Sequence, residues 1–448
     1  MESQKQEANE SLQKEKKLCG ASTDTSQNGS RKTLRMPITN VHARGGFSVT
    51  VAFGSETDTA ELVLDSGSST LVVTQTAYES KVDRELVPTS FAQYVRYGVG
   101  GWYGPVVKTG VDMISHNGKM LLDNTHVSIA AEFQQGMFAD ADGILGLAFY
   151  ELNDAHCLQD YLKEQGIAPE VTYPWSNTGI EKQSVKSFRS FVKNKPKSEL
   201  RPYFTCLEEQ GVSANKFSFV TRRSSIHHAA PNLSKEDLKQ DPLNQGLFIL
   251  GGGEEDQDLY EGEFTRIKVV DDVYYNVRLL KVKVDGFEAF DVPVLEGKEL
   301  EKHHSNAFMD TGATLLVLDN VVFNYIIECM EKVDPKFKDI LEPFLSFEYK
   351  EEGVDASLVN LEEWPDIEFI FEASVDSEEE EVSLICKADD YWQVNAPQHG
   401  QASFKIISQL PGWPDQSILG LPLMSDYYVI FARFENEFGD MKFAKAKF

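Results

Sequence analysis

Short apolar runs rich in β-branched residues, most closed by Gly or a polar turn, recur through most of the chain. "FSVTVAFG" (47–54), "AELVLDSG" (60–67), "VSIAAEF" (127–133), "LFILGG" (247–252), "YYNVRLLKVKVDG" (274–286), "IEFIFEA" (367–373) and "YYVIFARF" (427–434) predict strands. Helical periodicity is confined to a few stretches. "NVVFNYIIECMEKV" (320–333) predicts a helix opened by an Asn cap, and "PYFTCLEEQG" (202–211) one ended by Gly211. The pattern is that of a mostly-β protein. Residues 1–33, rich in Gln, Ser, Lys, Glu and Asn, predict a disordered polar head. Residues 155–200 and 223–244 break the β rhythm and are expected to be inserted surface loops or small helical excursions. The "EEEE" at 378–381 is expected at a solvated hairpin tip.

Two stretches repeat one design. "LVLDSGSSTLVV" (62–73) and "AFMDTGATLLVL" (307–318) each run apolar, Asp, Ser or Thr, Gly, a small residue, a hydroxyl residue, apolar. At average composition an Asp-[Ser/Thr]-Gly triplet is expected about 0.2 times in a chain of this length. Each copy is followed by an Ile-Leu-Gly-Leu, in "DGILGLAF" (142–149) and "SILGLPLM" (417–424). A duplicated fold follows: a first lobe over 34–222 carrying the 155–200 insertion, an inter-lobe insertion over 223–244, and a second lobe over 245–448.

A carboxylate between apolar strands costs free energy unless it is paired. If the lobes face each other, Asp65 and Asp310 meet. Two touching carboxyls share a proton and titrate as a unit, so an acid and a base stand side by side. Such a pair activates water against a carbonyl without a metal or a covalent intermediate. Gly67 and Gly312 allow tight turns, and Ser66 and Thr311 can hydrogen-bond backbone across the lobes.

Composition narrows the choice. The 448 residues are 41% apolar, enough for one large core or two. No apolar run reaches the roughly 20 residues of a membrane span. The net charge of −28 disfavours nucleic acid and anionic membranes as partners, and in strong acid 43 unopposed cations would repel one another. Five dispersed cysteines predict neither a disulfide framework nor a zinc site. Together with a polar start lacking an export signal, they suggest a reducing, cytoplasmic setting. "GGG" (251–253), "DADG" (140–143) and the pairs His227-His228 and His303-His304 lack the companions of a phosphate loop, a calcium loop or a zinc motif. No metal or cofactor is expected.

On these motifs the chain resembles the pepsin-like aspartic proteases. "QGLFILGGGEEDQDLYEGEFTRIKV", "WPDIEFIF" and the terminal "ILGLPLMSDYYVIFARFENEFGDMKFAKAK" extend the resemblance over residues 34–448 apart from the insertions. It implies an all-β, bilobal fold with two β-barrel-like lobes flanking a deep cleft. It implies a pepstatin-sensitive, monomeric endopeptidase that cleaves polypeptides between bulky apolar residues. Asp65 and Asp310 fall on the catalytic pair. Ser66, Gly67, Ser68, Thr311, Gly312 and Thr314 fall on supporting positions, and Ile144 beside the substrate. "YVRYGVGGWYGPVV" (94–107) falls on the flap, with Tyr97, Gly98 and Val99 at its end.

The departures carry information. Val72 stands where the family has a Trp that supports the flap Tyr, so Trp102 is a candidate substitute. Val99 replaces a flap hydroxyl, and the family's disulfides have no counterpart. With no signal and a short head, the chain is similar to bacterial pepsin homologues made without a zymogen stage. Ala313 replaces a hydroxyl residue whose equivalent in the first repeat is Ser68. Without that donor the pair should titrate higher, moving activity towards mildly acidic or near-neutral pH. The alternatives are a catalytically inactive pepsin-like binding or inhibitor protein and a two-carboxylate glycosidase. The first generally lacks an Asp or a motif Gly, and the second is disfavoured by the turn motifs.

Overall fold

The computed structural model describes residues 33–97, 100–115, 118–180, 183–345, 352–433 and 438–447. The polar head therefore lies outside the described residues up to position 32, as do Gly98 and Val99.

Each repeat folds into the same three-strand unit. In the first, Asp58–Asp65 ends at the acidic turn and Leu71–Thr74 leaves it. The strand Gly143–Gly146 lies between them, parallel to the first and antiparallel to the second. In the second, Ser417–Leu419 lies parallel to Ala307–Met309 and antiparallel to Leu316–Leu318. The strand leaving each turn also takes a parallel neighbour, Gly118–Ala130 in one half and Ile406–Ser408 in the other. The paired Asp-[Ser/Thr]-Gly and Ile-Leu-Gly motifs are thus neighbouring strands of one unit, built twice.

The Gly of each Ile-Leu-Gly is imposed by close passage of the acidic turn. A Cβ on Gly146 would lie 2.4 Å from Ser69 C and Thr70 N. One on Gly420 would lie 2.3 Å from Leu315 O and 2.4 Å from Ala313 O.

The halves share one large sheet. Leu34–Ala43 pairs with Gln245–Leu250, which leads through Lys216–Val220, Tyr427–Arg433 and Gly439–Ala446 to Tyr260–Lys268. Three smaller sheets complete the second half. The core is continuous across the halves: Phe217 stacks on Phe431 at 4.6 Å, and Tyr275 meets both Phe149 and Phe431. The fold is all-β and bilobal, with few helices.

Local differences from the sequence reading have physical causes. The expected strand 274–286 divides at Arg278, because Tyr275–Val277 pairs with Ala307–Met309 whereas Leu279–Val284 joins a different sheet. Helix Asn320–Val333 is capped by Asp319, whose side chain accepts from the Val321 N–H, and Asn320 is its first residue. Residues 223–244 are more than surface: Ser225 O accepts from the buried Asn40 side chain, and Lys235–Gln240 is a helix with a Ser234 capping box. The acidic run lies at the turn joining Ile367–Glu372 to Glu381–Cys386. The insertion also has a core. Helix Val185–Val192 buries Phe188 and Val192, and Phe188 stacks on Tyr103 at 4.1 Å beside Trp175.

Candidate active site

The two turns interlock through their hydroxyls. Ser66 Oγ donates to Met309 O and accepts from the Thr311 N–H. Thr311 Oγ1 donates to Leu64 O and accepts from the Ser66 N–H, at 2.9 and 3.0 Å. Each hydroxyl therefore satisfies a buried N–H of the other half. Ser66→Ala or Thr311→Ala leaves one such N–H unpartnered. We expect a loss of about 1–3 kcal/mol of stability for each, measured by denaturant unfolding.

The interlock brings the carboxyls together. A Cβ on Gly67 would fall 2.7 Å from Asp310 Oδ2, and one on Gly312 would fall 2.6 Å from Asp65 Oδ1. Each glycine is the gap through which the other half's carboxyl approaches. Asp65 and Asp310 thus face each other across the two glycines, and the charge of Asp65 acts on Asp310.

Their surroundings differ. Asp65 accepts from Ser68 Oγ and from the Gly67 N–H. Asp310 accepts from the Gly312 N–H at 2.8 Å, and Ala313 offers no hydroxyl. Burial raises Asp65 above the usual carboxylate range, against the Ser68 and Gly67 donors. Burial raises Asp310 much further, and repulsion from Asp65 adds to it. Of the two, Asp310 is pushed further towards its protonated form, and the pair titrates as a unit. The Asp310–Ala313 turn has the form of the Asp65–Ser68 turn, with Ala313 N donating to Asp310 O and Ser68 N to Asp65 O. A serine at 313 is therefore placed to donate as Ser68 does. In Ala313→Ser we expect the pH–activity profile to move acidward; a profile that stays in place would contradict the role given to this position.

Tyr97 ends the strand Val87–Tyr97, which pairs with Gly100–Ser115. Its hydroxyl is buried and faces Ser68 and the Trp102 indole, yet makes no hydrogen bond of normal geometry with either. Burial raises this phenol above its ordinary range. Trp102, opposite Val95 on the hairpin, is fully buried with Val72, Phe138 and Ile144 beside Tyr97. The indole thus occupies the space next to Val72 from the opposite strand.

Thr314, Ile144 and Tyr97 line a cavity of about 460 Å³ that contains Asp65 and Asp310. The same cavity is bounded by residues the sequence did not single out, among them Arg44, Met137, Phe138 and Trp413. Tyr274, stacked on Phe308, lines an adjoining arm with Gly67 and Ser68. No short motif marks these positions, because they converge from separate strands and loops. The described cysteines Cys157, Cys206, Cys329 and Cys386 are free thiols. Among the described residues no His, Cys, Asp and Glu side chains cluster to hold a metal, and no helix is long and apolar enough to cross a membrane.

A family model described as eukaryotic aspartyl protease matches residues 229–445. Over these residues the chain is similar to the pepsin-like aspartic proteases, a family of peptidases that act on polypeptides. The match takes in Asp310; Asp65 enters through the repeated strand unit of the first half.

Proposed function

We propose that the protein is an aspartic endopeptidase in which Asp65 and Asp310 jointly activate water. Asp65, ionised and oriented by Ser68, takes a proton from water held between the carboxyls. Asp310, protonated, donates to the carbonyl oxygen as that water attacks, so the dyad's charge is conserved through the addition step. On collapse the C–N bond breaks, Asp65 gives its proton to the leaving nitrogen, and Asp310 takes a proton from a hydroxyl of the diol, which restores the dyad. Tyr97 covers the site from the flap and excludes bulk water. Substrates are extended polypeptides cut between bulky apolar residues, which suits the side chains of Phe138, Ile144 and Trp413 along the cleft. The observation that carries this reading is the approach of each carboxyl over the other half's motif glycine.

The inactive alternative is disfavoured because both Asp and both motif Gly are present. The reading includes a monomer, and a cytoplasmic setting that four free thiols among the described residues, three of them buried, support. The test is an assay of an unfolded protein substrate across mildly acidic pH, with fragments mapped by mass spectrometry. Internal cleavage next to apolar residues, blocked by pepstatin, is expected. Absence of cleavage at every pH would leave the inactive binding protein as the better reading.

A further inference from the structure

The cleft has two unlike arms. One is the largely apolar cavity around the carboxyls, with Arg44 as its basic group. The other, about 660 Å³, has Gly67, Ser68 and Tyr274 in its lining and is bordered by Arg96, Lys186, Arg189, Lys193 and Lys197. Tyr97 lines both.

Five cations around one cavity are notable in a chain of net charge −28. Lys197 is matched by Asp154 at 2.5 Å. Among the described residues, Arg96, Lys186, Arg189 and Lys193 have no ion-pair partner. Three of them come from one element. Val185, Phe188 and Val192 form the inward stripe of helix Val185–Val192, and Lys186, Arg189 and Lys193 follow the same i, i+3, i+7 spacing one residue on. Like charges so spaced cost the helix a little stability. The stripe is exposed, but all three of its cations border the arm. Here the helix is fixed on the flap hairpin by Tyr103, whose ring stacks on Phe188 and whose hydroxyl donates to Gln183 O. The stripe therefore converges with Arg96, next to Tyr97 on the flap strand, over the floor formed by the first catalytic turn.

Resting on the endopeptidase reading, we propose that this cationic arm binds acidic side chains of the substrate. Cleavage sites would then carry apolar residues on one side of the scissile bond and Asp or Glu within a few residues on the other. The protein's net negative charge opposes such substrates at long range, but it is screened over about 8 Å at physiological salt. Inside the arm the nearby cations dominate.

The test uses the full chain and three pairs of peptides with one apolar core, carrying Glu-Glu, Gln-Gln or Lys-Lys on one side of it in one member of the pair and on the other side in the other. The parent should cleave the Glu peptide of one orientation about tenfold more efficiently than the Gln peptide, the scale of two exposed ion pairs. High salt should erase the preference. In Lys186→Glu/Arg189→Glu/Lys193→Glu, which sets three carboxylates against Arg96, the order should invert, with the Lys peptide preferred; simple damage to the helix would not invert it. Equal cleavage of Glu and Gln peptides by the parent, or an acidic preference that survives the charge reversal, would overturn the proposal while leaving the endopeptidase intact. Failure to cleave any of the peptides would instead remove the peptidase reading, and this proposal with it.

Discussion

Asp65→Asn and Asp310→Asn should each lower kcat/KM for peptide hydrolysis by about 1,000-fold or more. Each removes one of two coupled proton transfers, and a positioned acid or base contributes roughly 10²- to 10⁴-fold. The losses should not add in the double variant, because the carboxyls act as one unit. Stability should move the other way. Asp310 titrates well above its ordinary 3.8, with burial first and Asp65 second among the causes. The native state therefore binds more protons than the unfolded chain above that ordinary value. By linkage, stability contributed by this group is present at low pH and is lost as pH rises from 3.8 towards the raised native pKa. Asp310→Asn abolishes that loss, so its melting temperature should exceed the parent's near neutral pH and converge with it in acid. Activity that survives either substitution would place the chemistry elsewhere.

The second large effect is structural. In Gly420→Ala the new methyl would lie 2.3 Å from Leu315 O and 2.4 Å from Ala313 O. Both are backbone atoms, and Ala313 O is already fixed by the Leu421 N–H at 2.8 Å. The turn that carries Asp310 must move, or the strand Ser417–Leu419 must withdraw from it. Overpacking of this kind costs about 1–3 kcal/mol and sometimes more. At about 2–4 °C per kcal/mol for a lobe of this size, the melting temperature should fall by about 6–12 °C if the cost reaches 3 kcal/mol. Activity should fall as well, because the carboxyls no longer meet. Gly146→Ala should behave similarly, since its methyl meets Ser69 and Thr70 backbone at 2.4 Å. Unchanged melting and activity in Gly420→Ala would mean that the turn does not need this close passage.

What could be read in advance follows from where each constraint is written. The twofold Asp-[Ser/Thr]-Gly and Ile-Leu-Gly pattern is legible because close packing of turn on strand leaves a local signature, a glycine at a fixed place in each copy. Helix Asn320–Val333 is legible because its buried face recurs within a single turn of chain. The sheet joining the halves is not, since pairing Leu34 with Leu250 depends on residues more than 200 positions apart. The insertion was obscured by its polar surface. Phe188 and Val192 are two apolar residues among charged neighbours, and their partners Tyr103 and Trp175 lie outside the helix. Likewise Val72 signals only that a large side chain is missing. That Trp102 fills the space is a property of the hairpin's register, in which Trp102 faces Val95.

The proposed mechanism requires that one proton be shared by two carboxyls drawn from the two halves. Its most direct test is the dependence of kcat/KM on pH for one apolar-core peptide, followed from about pH 3 to about pH 8. A bell is predicted, rising as Asp65 ionises and falling as Asp310 loses the shared proton, with the falling limb displaced above the usual carboxylate range. A rate that climbs to a plateau and never falls across that range would show that no second, protonated carboxyl is required, and would contradict the claim.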